Sequence, residues 1–384
     1  MGRSSLSALL ALSLILLFHG FFFIAAEVGL RLWSEPPSAG PALNLVERDE
    51  PYAYRLNPDH PEISSQGLRD REFEIPKPAG VFRILMLGDS VTYGLFVKRE
   101  QAFPKVLEAL LRQRGLRVEV INAGMNGYTI WNELQWFKRH GAAFQADLVV
   151  LGFCPNDVVD PVLHWGDDEG YFRNLPAEAI PDLDRHRRDV EPFVYGPKAL
   201  LRRLLKHSAV YRFVSGRWKL LEERPRRYLR RDGKSWPVYL ADDDTGVSLQ
   251  ALENPESTEW RWLAARMGEL KESVEASGAR FAAVYLPLAY QLQEGYPLHP
   301  EQKFLDFCRS RGIFCMDFLP EFKNRGAGLY LGSHRYHPRD VWHFSARGHL
   351  ELAKMLEQYL EKEHLLAAAA PASPSMTHSA PLNS

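Results

Sequence analysis

A serine at the end of a short apolar run has the position of a nucleophile. The segment Ile84-Leu-Met-Leu-Gly-Asp-Ser90 predicts a buried strand followed by a sharp turn. A serine at the carboxyl end of a buried parallel strand lies where open α/β sheets bind their ligands. Backbone N–H groups nearby could then stabilise the oxyanion that its attack produces. Alone the motif is weak, because many strands end in an ordinary Gly-Asp-Ser turn.

An aspartate and a histidine near the other end of the chain could activate that serine. Asp340-Val-Trp-His343 stands just before a predicted helix that Ser345 would cap. A histidine here can act as general base, and an aspartate three residues earlier can orient it. These residue types together indicate serine-dependent acyl transfer.

Two further strand ends carry groups suited to an oxyanion. Gly127 follows the second predicted strand, and Asn156 follows the third. The carboxyl ends of parallel strands share one edge of the sheet, so both residues should converge on Ser90. The backbone N–H groups of Ser90 and Gly127 and the side-chain amide of Asn156 would then provide three donors. Losing one such donor typically costs about 2.7–4 kcal/mol of barrier.

Alternating strand and helix patterns supply the elements that would position these groups. Such alternation implies βαβ units and a parallel sheet covered on both faces. The predicted strands are 82–87, 118–122, 148–153, 280–286 and 313–318. The predicted helices are 104–114, 131–140, 259–277, 300–311 and 345 to 360.

In this order, the four segments resemble the SGNH (GDSL-like) hydrolase superfamily over most of 82–360. The resemblance implies a three-layer α/β/α sandwich with a five-stranded parallel sheet, of flavodoxin-like type. It implies Ser90 as nucleophile, His343 as base and Asp340 as its orienter, with Gly127 and Asn156 completing the oxyanion hole. Two departures are Pro155, where the family often has glycine, and Trp342, which is bulkier than usual beside His343.

The resemblance also implies a substrate class. Members with an N-terminal anchor handle O-acyl groups on polysaccharides, some of them beside membrane-bound O-acyltransferases. We therefore expect an esterase acting on acylated carbohydrate, O-acetyl esters foremost, with such an acyltransferase as a possible partner. The same residues leave open an O-acyltransferase, a lipase or thioesterase, and a non-catalytic polysaccharide-binding scaffold. The residues expected to contact substrate are Asp89, Asp157, Trp342 and His337.

Composition and spacing argue against several other classes. The net charge of −1 does not favour nucleic acid as a partner of the whole protein. His334 and His337 precede Asp340, but a zinc site needs further ligands at suitable spacing, so no metal is expected. Gly124 and Gly127 do not form a dinucleotide fingerprint, and no cofactor is expected.

The N-terminal segment decides the expected compartment. Leu6 to Ala26 is strongly apolar and close to the roughly 20 residues that cross a bilayer. We expect an uncleaved transmembrane anchor over 1–32 that leaves the catalytic domain extracytoplasmic, with a secreted form after signal cleavage as the alternative. The remaining expected divisions are a linker and entry segment over 33–75, the hydrolase domain over 76–362, and a disordered tail over 363–384.

A long insertion, about 158–256, interrupts the predicted domain and is rich in arginine between Arg185 and Lys234. Three interpretations remain open for its basic amphipathic stretch, Lys198 to Leu221. It could be a lid over the active edge, a helix on the membrane surface, or a solvated face. We expect the lid, and a role in selecting an acidic polymer.

The three cysteines do not make a disulfide scaffold. Cys154 is expected to be a buried free thiol. Cys308 and Cys315 are also expected to be free, with a bridge as the alternative in an exported chain.

Overall fold

A computed structural model describes residues 3–33, 45–49, 54–158, 172, 175–197, 200–201, 205, 208–211, 213–214, 228–231, 234–237, 249–331 and 340–367. The chain divides into two compact units. The N-terminal unit comprises Met1–Leu43 and Arg187–Arg226, and the sheet unit comprises Asn44–His186 and Arg227–Ser384. Every described residue that the sequence predicts to do chemistry lies in the sheet unit.

The described residues form strands and helices with the following bounds. The strands are β1 (Val46–Arg48), β2 (Tyr54–Leu56), β3 (Phe82–Gly88), β4 (Val118–Gly124), β5 (Leu148–Phe153), β6 (Tyr228–Arg231), β7 (Lys234–Pro237), β8 (Arg280–Tyr285) and β9 (Phe314–Asp317). The α-helices are α1 (Arg3–Trp33), α2 (Ser90–Tyr93), α3 (Phe103–Gln113), α4 (Ile130–Arg139), α5 (Leu183–Arg185), α6 (Glu191–Tyr195), α7 (Leu249–Glu253), α8 (Thr258–Ala276), α9 (Pro300–Arg311), α10 (Leu319–Arg325) and α11 (Ala346–Lys362).

A five-stranded sheet with the order β4-β3-β5-β8-β9 forms the centre of the sheet unit. All its neighbouring strands are parallel. The chain moves from β3 outward to β4 and then back past β3 to β5, so the direction of winding reverses at β3. Right-handed crossovers place α3 and α4 on opposite faces, because they connect strands in opposite directions. In agreement, α3 packs with α11, and α4 packs with α8.

The sheet matches the sequence prediction closely because its strands are covered on both faces. Every residue of β3 and of β5 is buried, and such strands appear in the sequence as continuous apolar runs. Arg83 is the one charged residue within β3. Its fully buried guanidinium pairs with Glu119 and donates to the carbonyl oxygens of Phe144 and Glu74.

The predicted transmembrane helix is wrong. Within the described part of the chain, no helix combines the length and apolar character needed to cross a bilayer. Although α1 is one continuous helix, Glu27 pairs with Arg31 at 2.8 Å and accepts a bond from the Ser208 hydroxyl at 2.8 Å. Backbone N–H groups of Val210 and Ala209 also bond to Glu27 and lower its pKa to about 2. The helix therefore carries a charged, hydrogen-bonded carboxylate directly after the predicted span Leu6 to Ala26.

The expectation of free cysteines at positions 308 and 315 is also wrong. Cys308, near the end of α9, forms a disulfide with Cys315 in β9, and their Cα atoms lie 6.0 Å apart. The turn between helix and strand brings the two residues together, which their spacing alone does not reveal. Cys154 is a buried free thiol, as expected.

The described part of the insertion contains regular structure. The position of a lid over the active edge stays a prediction. The described part of 158–256 includes α5, α6, α7 and an antiparallel ribbon of β6 with β7. Its portion from Arg187 to Arg226 belongs to the N-terminal unit. The expected tail beyond residue 367 and the expected linker at 34–44 lie outside the described residues.

Candidate active site

Ser90 is the first residue of the single-turn helix α2, directly after β3. The Asp89 carboxylate caps this turn by accepting the Val91 N–H at 2.9 Å, and Gly94 ends it with φ at 80°. Ser90 is therefore presented at the carboxyl end of the sheet, where the winding reverses. Its side chain is buried except for a small opening, since the residue is 8% exposed.

A row of three glycines brings this turn close to the sheet. Gly88, Gly124 and Gly152 lie opposite one another on adjacent strands. A Cβ atom on Gly88 or Gly152 would overlap the Thr92 hydroxyl, and one on Gly124 would overlap the backbone of Tyr93. Only glycine leaves room for α2 to rest directly on the strand ends, so backbone contact sets the position of Ser90.

The structure brings Ser90, His343 and Asp340 into a continuous hydrogen-bonded chain. The Ser90 Oγ lies 2.9 Å from His343 Nε2, and His343 Nδ1 lies 2.8 Å from Asp340 Oδ2. When Nδ1 carries the proton and donates a hydrogen bond to Asp340, Nε2 is left as the acceptor for the serine hydroxyl. This tautomer is the one a general base needs.

Backbone bonds hold the segment that carries His343. Asp340 Oδ1 accepts the N–H groups of Trp342 and His343 at 3.0 and 2.9 Å, which folds the segment into a tight turn. The His343 carbonyl accepts from the N–H of Leu331 at 2.9 Å. The orientation of the imidazole is therefore fixed by the aspartate and by the neighbouring chain.

The contacts around Asp340 keep it ionised. Burial alone would raise the pKa of Asp340, but the hydrogen bonds and charge of His343 and the N–H of Trp342 hold that pKa below its ordinary value. A carboxylate that stays charged near neutral pH can stabilise the imidazolium formed when His343 takes a proton.

Gly127 and Asn156 lie at the strand ends predicted for oxyanion donors, and both are buried. Gly127 has φ at 74°, and its loop is held by the Tyr54 hydroxyl, which donates to the Asn126 carbonyl at 2.7 Å. The Asn156 Nδ2 donates one of its hydrogens to Asp89 Oδ2 at 2.8 Å. This bond fixes the amide plane beside the nucleophile turn.

The structure shows a supporting role for two of the expected substrate contacts, Asp89 and Asp157, and their contact with substrate stays a prediction. Asp89 and Asp157 are almost fully buried, and both accept bonds from backbone N–H groups, which supports the turns around the site. Glu133 is buried with them. Burial, and then the charge of Asp89, raise the pKa of Glu133; burial, Glu133 and Asp89 raise the pKa of Asp157. Burial and mutual repulsion therefore favour the protonated forms of Glu133 and Asp157.

The remaining residues singled out in the sequence are Trp342, His334 and His337. Trp342 is half-buried beside His343. His334 and His337 lie outside the described residues. Within the ranges that are described, no group of three or more metal-ligating side chains could hold an ion. Phe96 contacts His343, and Arg69 bonds the loop that follows α2, but no sequence motif marks either residue.

The parallel sheet and the Ser–His–Asp arrangement define the class of protein, an SGNH-type serine hydrolase. The chain belongs to the GDSL-like lipase/acylhydrolase family, whose model matches residues 86–350. No curated protein matches the chain.

Several solved structures resemble it at low identity. TesA is 13% identical, with a TM-score of 0.39 over 73% of this chain and 98% of that chain. The psychrotrophic esterase EstA from Pseudoalteromonas sp. is 12% identical, with a TM-score of 0.38 over 74% and 98%. A catalytic mutant of Axe2, an acetylxylan esterase from Geobacillus stearothermophilus, is 14% identical, with a TM-score of 0.41 over 73% and 94%.

Proposed function

We propose that this chain is an extracytoplasmic serine esterase that removes small O-acyl groups, acetyl foremost, from carbohydrate. The hydrogen-bonded chain from Ser90 through His343 to Asp340 is the observation that carries the proposal. Each of the three side chains already has the partner that its role requires.

The reaction follows from this geometry. Ser90 Oγ attacks the ester carbonyl while His343 Nε2 takes its proton, and Asp340 stabilises the resulting imidazolium. The oxyanion is met by the N–H groups of Ser90 and Gly127 and by the Asn156 amide. His343 then gives its proton to the leaving alcohol, and the acyl group stays on Ser90. Water, deprotonated by the same histidine, releases the acid and restores the serine.

The surroundings of Ser90 favour a short acyl group. Asp89 and Asn156 bond to each other next to the nucleophile, and both are buried. A long fatty chain needs an apolar path, whereas acetyl fits beside polar groups. On the exposed side, an aromatic ring at Phe96 suits a sugar.

The disulfide supports an extracytoplasmic site of action. The bond between Cys308 and Cys315 forms and persists in oxidising compartments, and such bonds are rare where glutathione keeps thiols reduced.

Acetate release tests the proposal. The purified full chain is incubated with acetylated xylo-oligosaccharides and with 4-nitrophenyl esters of two to twelve carbons, and a Ser90→Ala variant serves as control. We expect acetate from the sugars, a preference for the shortest aryl ester, and no turnover or fluorophosphonate labelling by the variant. Because His343 and Asp340 remain, the variant should keep the wild-type melting temperature.

The other outcomes separate the alternative functions. Preference for the longest esters without acetate release would favour a lipase or thioesterase. Acetyl transfer to an added sugar in place of hydrolysis would favour an O-acyltransferase. Labelling of the Ser90→Ala variant at the wild-type level would contradict the assignment of the nucleophile.

A further inference from the structure

Phe96 has an unusual backbone conformation and a half-exposed ring. Its φ is 67°, in the left-handed region that bulky residues rarely adopt, and the residue is 53% exposed. Such a conformation costs on the order of 1–3 kcal/mol and persists only where the surroundings enforce it. Phe96 follows the nucleophile by six positions, which makes it part of the loop that leaves α2.

Arg69 enforces this conformation. Its guanidinium donates to the carbonyl oxygens of Tyr93, Gly94 and Val97, at 3.3, 3.0 and 2.9 Å. It also lies over the Tyr93 ring, 4.7 Å from the centroid, and its side chain is only 13% exposed. These bonds hold the chain on both sides of Phe96, so the loop is built to present this ring.

The ring lies against the catalytic base. The centroids of Phe96 and His343 are 5.3 Å apart, and the planes meet at 87°, an edge-to-face contact. Phe96 therefore combines contact with His343 and exposure to solvent.

The chemistry of the base identifies which half of the substrate lies there. His343 Nε2 takes the serine proton and delivers it to the leaving oxygen, so the leaving alcohol must lie beside the imidazole. The acyl oxygen points the other way, toward Gly127 and Asn156. A ring packed on the imidazole thus borders the alcohol and not the acyl group.

We propose that Phe96 is a specificity-determining residue, the platform on which the sugar ring of the leaving alcohol rests. This inference depends on the proposed carbohydrate esterase function. The apolar C–H face of a pyranose can lie on the aromatic ring while its hydroxyl groups remain solvated. Arg69 is the positioning residue that keeps the platform in place.

The test compares two acetate esters that differ only in the alcohol. The kcat/KM of Phe96→Ala and Phe96→Gly is measured on an acetylated xylo-oligosaccharide and on ethyl acetate. Glycine accepts the left-handed backbone, so the second variant keeps the loop even if alanine disturbs it. Phe314→Ala, which truncates an exposed phenylalanine on the edge strand β9, is the matched control.

We expect the ratio of kcat/KM for the sugar ester to that for ethyl acetate to fall about three- to tenfold in both Phe96 variants, mainly through KM. Arg69→Lys should lower the same ratio, because an ammonium cannot bond all three carbonyl groups. Phe314→Ala should leave the ratio at the wild-type value.

Three results would overturn the inference. An equal fall on both esters, with a shifted pH profile, would mean that Phe96 only orients His343. Wild-type kcat/KM on both esters in the Phe96 variants would remove any role in sugar binding. If the wild-type enzyme hydrolyses ethyl acetate but releases no acetate from the sugar, the proposed function fails and the inference fails with it. If the wild-type enzyme and the Phe96 variants are equally active on the sugar ester, only the proposed role of Phe96 is rejected.

Discussion

At the scale of single residues, Asn156 donates one side-chain hydrogen to Asp89 at 2.8 Å. The amide is therefore oriented before any substrate is bound. Donors that are already oriented stabilise the transition state more than the ground state, because no rearrangement is needed when the charge develops.

Replacing Asn156 with alanine should lower kcat about a hundredfold or more on a short aryl ester, with a smaller change in KM. Steady-state kinetics on the purified variant measures both constants. A loss confined to KM would assign Asn156 to substrate binding instead.

The buried environment of His349 lowers its pKa and makes the stability of the fold depend on pH. It is 1% exposed, and its Nδ1 accepts the Phe103 N–H at 3.3 Å. Burial, followed by the charges of His343 and Arg69, lowers its pKa from the ordinary 6.5 to about 3. Between these pH values the unfolded chain binds a proton at this position and the folded chain does not. Stability should therefore fall as the pH drops from 6.5 toward 3.

The contribution of His349 is about 1.4 kcal/mol of unfolding free energy per pH unit in that interval. In His349→Asn, the amide oxygen can still accept the Phe103 N–H, but no proton is taken up. Urea unfolding at pH 7 and pH 5 should show a smaller pH-dependent loss in the variant than in wild type. Equal losses in both proteins would show that other groups cause the acid sensitivity.

At the scale of elements, the glycine row under α2 links the sheet to the nucleophile. A methyl group on Gly124 would meet backbone atoms of Thr92 and Tyr93, which cannot rotate away. The turn must move instead, and displacement of a catalytic group by about 1 Å can cost about a hundredfold in rate.

Gly124→Ala should reduce kcat about a hundredfold while destabilising the fold by about 1–3 kcal/mol. Gly268→Ala is the control, since a Cβ there meets nothing within 4 Å and the position lies inside α8. Activity and urea unfolding should show the control to be as active as wild type. A Gly124→Ala variant with full activity would mean that α2 tolerates the shift.

Among the elements, the strands and several helices could be predicted from the sequence. The buried strands of the parallel sheet are continuous apolar runs, and β5 and α9 have the predicted bounds. Ser90, His343 and Asp340 could be found because each lies beside a recognisable element boundary. Phe96 could not, because its position depends on three carbonyl bonds from Arg69, a residue far away in the sequence. The burial of Asp89 and Asp157 was hidden for the same reason, since it depends on packing and not on residue type.

At the scale of the whole molecule, the disulfide joins the end of α9 to the edge strand of the sheet. A bridge of this kind typically contributes about 2–4 kcal/mol, in part by restricting the unfolded chain. It lies on β9, two strands away from β5, whereas Ser90 follows β3.

Replacing Cys308 and Cys315 together with serine should lower the unfolding free energy by about 2–4 kcal/mol and leave kcat within about twofold, because global stability and site geometry are separate here. Dithiothreitol should lower the melting temperature of wild type and not that of the double variant. If the reductant affects both proteins equally, the bridge is not the cause.

Ser90 and His343 are separated by 253 positions, and this separation sets when the active site can form during synthesis of the chain. At a synthesis rate of about 5–20 residues per second, the serine is complete about 13 to 50 seconds before its base exists. During that interval the nascent polypeptide carries an ordinary hydroxyl with no means of losing its proton. The enzyme therefore cannot attack an ester until the segment that carries Asp340 and His343 has been translated and has folded against Ser90.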